Sequence, residues 1–136
     1  MNTIFTTEIE VTDEQFESLL TSGLEGGCNH WLTGNYNDIK EESKKFYNKK
    51  LNVQDQIMLG GSLNCYDLEM PDSFLGTLTL NKVKEALRAM SEGKDLKGKE
   101  NEHLKWHFKN FINENDDAET ADIVIQIAVM EEIVFG

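Results

Sequence analysis

Residues 123–134, IVIQIAVMEEIV, are hard to place anywhere except in a core, because only Gln126, Glu131 and Glu132 interrupt the apolar run. Apolar surface gains roughly 25 cal/mol per Å² on leaving water, so the other elements must be built around this segment. Asp117, Glu119 and Asp122 precede it or open it, where the positive end of a helix dipole favours acids. It therefore reads as a buried helix. Its density of β-branched residues keeps a buried strand open as the alternative. The run ends Ile133-Val134-Phe135-Gly136 and exceeds what one small domain readily covers, so a homodimer is the expected way of burying it.

The preceding chain supplies the elements to cover it. Residues 3–11 place Phe5, Thr7, Ile9 and Val11 on one side and Thr6, Glu8 and Glu10 on the other, the pattern of a half-buried strand. Thr12 and Gln15 have the spacing of a capping box, and Phe16, Leu19 and Leu20 follow as the inward stripe of a helix ended by Gly26-Gly27. A polar loop and a short helix over residues 38–48 come next. Residues 56–70 read as two short strands, or one interrupted strand, about Gly60-Gly61, with Pro71-Asp72-Ser73 as the stop. Thr79 opens a helix with Leu80, Val83, Leu87 and Met90 in its seam and Gly93 at its close, KDLKGKE forms a mobile basic linker, and residues 101–113 form a third helix. The predicted fold class is α+β, a single domain over residues 1–136 with a small antiparallel sheet packed against three to four helices. A chain of 136 residues needs no staple to hold a core, and Cys28 and Cys65 read as free thiols. No apolar run is long enough to span a membrane and the N-terminal stretch lacks the character of a signal peptide, so a cytoplasmic location is expected.

Charge is unevenly distributed. The 25 acids and 13 bases leave a net charge of −12, yet residues 1–39 and 110–136 contain no Lys or Arg at all. If the two ends meet in the fold they form one negative face, which repels nucleic acid and membranes and attracts a basic protein surface. Glu8, Glu10, Glu14, Glu17, Asp117, Glu119 and Asp122 are the candidate partner contacts. A solvated, solubilising surface is the plainer reading of the same charges.

A different site is indicated by LEGGCNHWL. Gly26 and Gly27 allow a close backbone approach, Trp31 offers a stacking face, and Asn29 and His30 offer hydrogen-bonding groups for a small ligand. The alternative is a helix end followed by a tryptophan that plugs the core. No phosphate-binding glycine motif is present. Cys28, His30, Cys65 and the His103/His107 pair are metal-ligand types without metal-site spacing, and the acidic cluster lacks the calcium-loop pattern, so neither metal nor cofactor is expected. A metal hydrolase using His103, His107 and those acids is the least favoured reading. No serine sits in a nucleophile elbow, and the expectation is a protein that is not an enzyme.

Glu25-Gly26-Gly27 with Trp31, Gly76-Thr77-Leu78-Thr79-Leu80, the terminal Asp117-Ala118-Glu119-x-Ala121-Asp122 with Gln126, and Glu132-Ile133-Val134-x-Gly136 recur in that order elsewhere. In this the chain resembles a group of small bacteriophage and prophage accessory proteins, with His30 where that group usually carries tyrosine. The resemblance implies a viral protein acting in the bacterial cytoplasm. The expected function is stoichiometric: an anti-defence or host-takeover inhibitor, similar to anti-CRISPR proteins, that occupies a basic surface of a bacterial protein. The alternative is a small-molecule module, such as a sponge for a defence signalling nucleotide at the Trp31 bend, with Lys40, Lys44 or Arg88 brought in to meet the phosphates.

Overall fold

In the computed structural model, which describes residues 9–35, 52–115 and 117–136, the apolar run lies on a helix, α5 (Ala118–Met130). Asp117 opens α5 by accepting a hydrogen bond from the Thr120 amide at 2.9 Å, and Glu131 ends it in the left-handed conformation. Val124, Ile125, Ile127 and Ala128 are wholly buried. A helix satisfies its own backbone groups, so it can be enclosed on all sides, as a lone apolar strand cannot. That settles helix against strand.

Four elements of the same chain and one strand enclose α5. They are α1 (Asp13–Ser22), the π-helical turn Gly23–Gly27 that continues it, α3 (Leu80–Ser91), α4 (Glu102–Ile112) and β3 (Phe74–Leu78). A short helix, α2 (Val53–Met58), packs on α1. These elements bury the helical part of the run within one chain, whereas Ile133 and Val134, beyond the end of α5, stay exposed. The sheet is antiparallel in the order β1 (Leu32–Asn35), β2 (Leu63–Asp67), β3, with Gly34 opposite Cys65 and Leu63 opposite Leu78. Five helices and a three-stranded antiparallel sheet make the fold α+β, as its sequence predicts.

Local signals were obeyed where they were strong. Thr12 and Gln15 form the capping box, Thr79 caps α3 through the Lys82 amide, and Asn101 caps α4 through the His103 amide. Other expectations need correction. Residues 56–70 are not two strands: Asn52 accepts from the Asp55 amide and starts α2, so the apolar Ile57-Met58 pair lies on a helix. A short apolar run carries too little periodicity to separate the two states. Pro71-Asp72-Ser73 lies past the end of β2, as expected, and turns the chain into β3, with Asp67 N donating to Ser73 O at 3.0 Å and Ser73 N to Met70 O at 2.7 Å. Residues 9–11 belong to no strand, whereas residues 3–8 and the helix expected over 38–48 lie outside the described residues.

The KDLKGKE stretch is a folded loop, not a mobile linker. Buried Asp95 accepts from the amides of Lys97 and Lys99, both at 2.9 Å, and Leu96 N donates to Glu131 O at 3.0 Å, pinning the loop to the end of α5. Lys97 also pairs with Glu132. No helix among the described residues is long and apolar enough to cross a membrane.

Gly23 shows how closely α1 approaches α5. A Cβ there would collide with Ile125 Cδ1, and it would stand 3.5 Å from the Ala121 Cβ. Gly23→Ala should therefore cost about 1–3 kcal/mol by overpacking, and Ile125→Val about 0.5–1.5 kcal/mol by losing a methyl group. Because valine lacks the colliding atom, the double variant should be at least about 0.5 kcal/mol more stable than the sum of the two losses. Chemical denaturation of the four proteins measures this; strict additivity would mean that the contact is not as described.

Candidate functional site

The residues singled out at the bend converge on one buried carboxylate. From the π-helical turn the chain makes a tight bend over residues 28–31, with Cys28 N donating to Gly23 O at 2.9 Å and Asn29 N to Gly26 O at 3.0 Å, and then enters β1. The two glycines play different parts. A Cβ at Gly27 would strike the Ala118 carbonyl, so the first turn of α5 lies directly against the bend, whereas a Cβ at Gly26 would meet nothing within 4 Å. The close approach that the Gly-Gly pair permits is to the protein's own helix.

Trp31 is 1% exposed, which corrects its expected role as an open stacking face. Its indole Nε1 donates to Asp122 Oδ1 at 2.6 Å, and its ring stacks on Phe135 with centroids 5.4 Å apart and planes 12° from parallel. His30 Nε2 donates to the other oxygen, Asp122 Oδ2, at 2.8 Å, and Gln126 Nε2 adds a third hydrogen bond to Oδ1 at 3.2 Å. A buried aromatic with its polar edge satisfied and its face covered has no surface left for a ligand. Gly26, Asn29 and His30 remain accessible around it.

Asp122 requires a second correction. At 9% exposure, with both oxygens engaged, it is not available as a partner contact. An acid on the second turn of a helix resembles any dipole-compensating acid in sequence; its distant partners, Trp31 and His30, are what distinguish it. Gln126 is the residue whose role sequence reasoning missed. It is fully buried, and its side chain uses every hydrogen-bonding group it has: Oε1 accepts from Val134 N and Phe135 N, both at 2.9 Å, and Nε2 donates to Phe135 O at 3.0 Å besides Asp122. Glutamine inside an otherwise apolar helix was the available signal. It folds the C-terminal tail back so that Phe135 closes over Trp31.

The remaining acids divide. Glu10, Glu14, Glu17, Asp117 and Glu119 are exposed, Asp117 also serving as the α5 cap, while Glu8 lies outside the described residues. Glu17 shares a hydrogen bond with Asp55 of α2, and this contact, the charge of Asp55, slight desolvation and the charge of Glu14 together hold its carboxyl above the usual range. Asp117 and Glu119 stand at the start of α5, beside the Gly26-Gly27 bend.

Neither thiol is placed to react. Burial, with the nearby Asp122 carboxylate, pushes Cys28 well above the ordinary thiol range, and burial raises Cys65 to about 12. The His103/His107 pair does not face a common opening, for His103 is exposed while buried His107 lies with Nδ1 2.8 Å from Thr120 Oγ1. Among the described residues no group of three or more metal-ligating side chains is found together. No protein-family model, curated protein or solved structure gives a significant match to this chain.

Burial holds His107 below the usual histidine range, partly offset by the charges of Glu119 and Asp117. The unfolded chain therefore takes up a proton at this position first as pH falls. Its contribution to stability is full above about pH 6.5 and is lost as pH drops from there toward the depressed folded value. Between about pH 7.5 and pH 5.5 the melting temperature of the native protein should fall more steeply than that of His107→Gln; parallel curves would show that His107 is not buried as described.

Proposed function

We propose that this chain is a non-catalytic binding protein that works by occupancy, its acidic surface engaging a basic surface of a bacterial protein. The resemblance read in its sequence to bacteriophage and prophage accessory proteins is the reason for placing that role in anti-defence or host takeover in the bacterial cytoplasm. The observation that carries the reading is that exposed Glu14 and Glu17 on α1 lie beside α2, where Glu17 meets Asp55, with no Lys or Arg on either helix. Like charges so placed repel, and nothing in the elements that carry them offers relief, since residues 1–39 and 51–81 contain no Lys or Arg. A basic surface set against them would relieve that repulsion and steer association. Glu10, Glu119 and Asp117 extend the same sign of charge over neighbouring elements. The non-catalytic reading is supported by two buried, strongly protonated thiols.

The protein immobilised and challenged with an extract of bacterial cells should retain a partner at low salt and release it as salt rises. The combined variant Glu14→Lys, Glu17→Lys, Glu119→Lys changes only exposed positions, where substitutions usually move stability by about 0.5 kcal/mol or less. It should lose that partner while keeping the native circular dichroism spectrum. If both proteins retain the same set of proteins to the same salt concentration, the acidic surface is not the contact.

A further inference from the structure

We propose that the seam between α3 and α4 is a docking groove for an acidic, amphipathic segment of a partner protein. Two cavities of about 340 and 230 Å³ lie along this seam and share Ile9, Ser91 and Phe108 in their linings. The larger one is floored by Phe16, Leu87 and Phe111, and Lys84 Nζ stands 5.5 Å from the centre of the Phe16 ring. Lys84 and Arg88 line it from α3, while Lys105 and Lys109 line the second cavity from α4. Each pair is four residues apart, hence on one helix face and one turn from its fellow. Two rails of positive charge, each rising about 6 Å along its helix, thus line two adjoining apolar cavities, one from α3 and one from α4.

In a chain whose acids outnumber its bases 25 to 13, cations are expected to find carboxylates. Among the described residues none of these four does: the ion pairs found are His30 with Asp122 and Lys97 with Glu132. Cations without an ion-pair partner among the described residues, on α3 beside one apolar cavity and on α4 beside the next, define the chemistry of the occupant. A single-headed anion, such as an alkyl carboxylate, satisfies one end of one rail. A nucleotide would find few hydrogen-bonding partners for its base and sugar, because among the described residues Ser91 is the one neutral polar side chain lining the larger cavity and its hydroxyl already donates to Arg88 O at 2.6 Å. A helical segment with Leu or Phe along one stripe and Glu or Asp on both flanks meets the floor and both rails together, in the helix-in-groove mode. The groove is opposite in sign to the acidic surface and rests on different residues, so either can fail without the other.

The test uses the full chain and a fluorescein-labelled synthetic helix with Leu and Phe at i, i+3, i+4 and i+7 and Glu on both flanks. Fluorescence anisotropy should show saturable binding at low salt. The exposed double substitution Arg88→Glu, Lys109→Glu should weaken it about tenfold or more, and the milder Arg88→Gln, Lys109→Gln should give an intermediate loss with an unchanged melting curve. Glu14→Lys with Glu17→Lys should leave it unaltered. Absence of saturable binding, equal binding of the same helix with Lys in place of Glu, or insensitivity to both double substitutions would overturn the proposal. So would saturable binding of dodecanoate to the groove with none of the helix, which would assign the site to a single-headed anion.

Discussion

One carboxylate, that of Asp122, ties together three parts of the chain that are far apart in sequence. It accepts from the Trp31 indole and the His30 imidazole on the bend, and from Gln126, which in turn holds the C-terminal tail. A buried charge is costly unless it is hydrogen-bonded on all sides, so this network carries a large penalty for partial disruption. Around it, α5 can be buried along most of its length because Asp122 and Gln126, the charge and the amide it buries, satisfy each other and the chain that closes over them. The bend, the helix and the tail are in effect a single unit.

That unit explains why the bend looks like a binding site in sequence. Gly-Gly, an exposed-looking Asn-His pair and a tryptophan are what a ligand pocket requires, and they are equally what one helix needs to lie against another with an indole between them. Gly27 is small because Ala118 O lies against it, and Trp31 is aromatic because Phe135 covers it. Function is therefore more naturally carried by the surfaces the core leaves over. These are segregated by charge, with carboxylates on α1 and α2 and, along the α3–α4 seam, cations that form no ion pair among the described residues.

Signals confined to a few residues were readable before the fold was known. The Thr12–Gln15 capping box, the Thr79 and Asp117 caps and the seam of α3 act within one turn of helix, so spacing alone reveals them. The α2 helix was hidden because its six residues hold too little periodicity, and β1 because its four residues, Leu-Thr-Gly-Asn, acquire strand character only by pairing with β2. The role of Asp122 was invisible for a similar reason, since Trp31 is 91 residues away and no local rule pairs them, whereas Gln126, bonded four to nine residues along the chain, showed in sequence only as a polar residue inside an apolar helix. The groove was half legible, since Lys84/Arg88 and Lys105/Lys109 display their common faces in sequence, but the packing of α3 on α4 that brings the faces together does not.

The clamp formed by Asp122 is tested most directly at the Trp31 indole N–H, followed by hydrogen exchange in nuclear magnetic resonance spectra. Buried, bonded to the carboxylate at 2.6 Å and covered by Phe135, this proton should exchange as slowly as the most protected backbone amides of α5. Exchange at the rate of a solvent-exposed indole would contradict the clamp and reopen the bend as a ligand site.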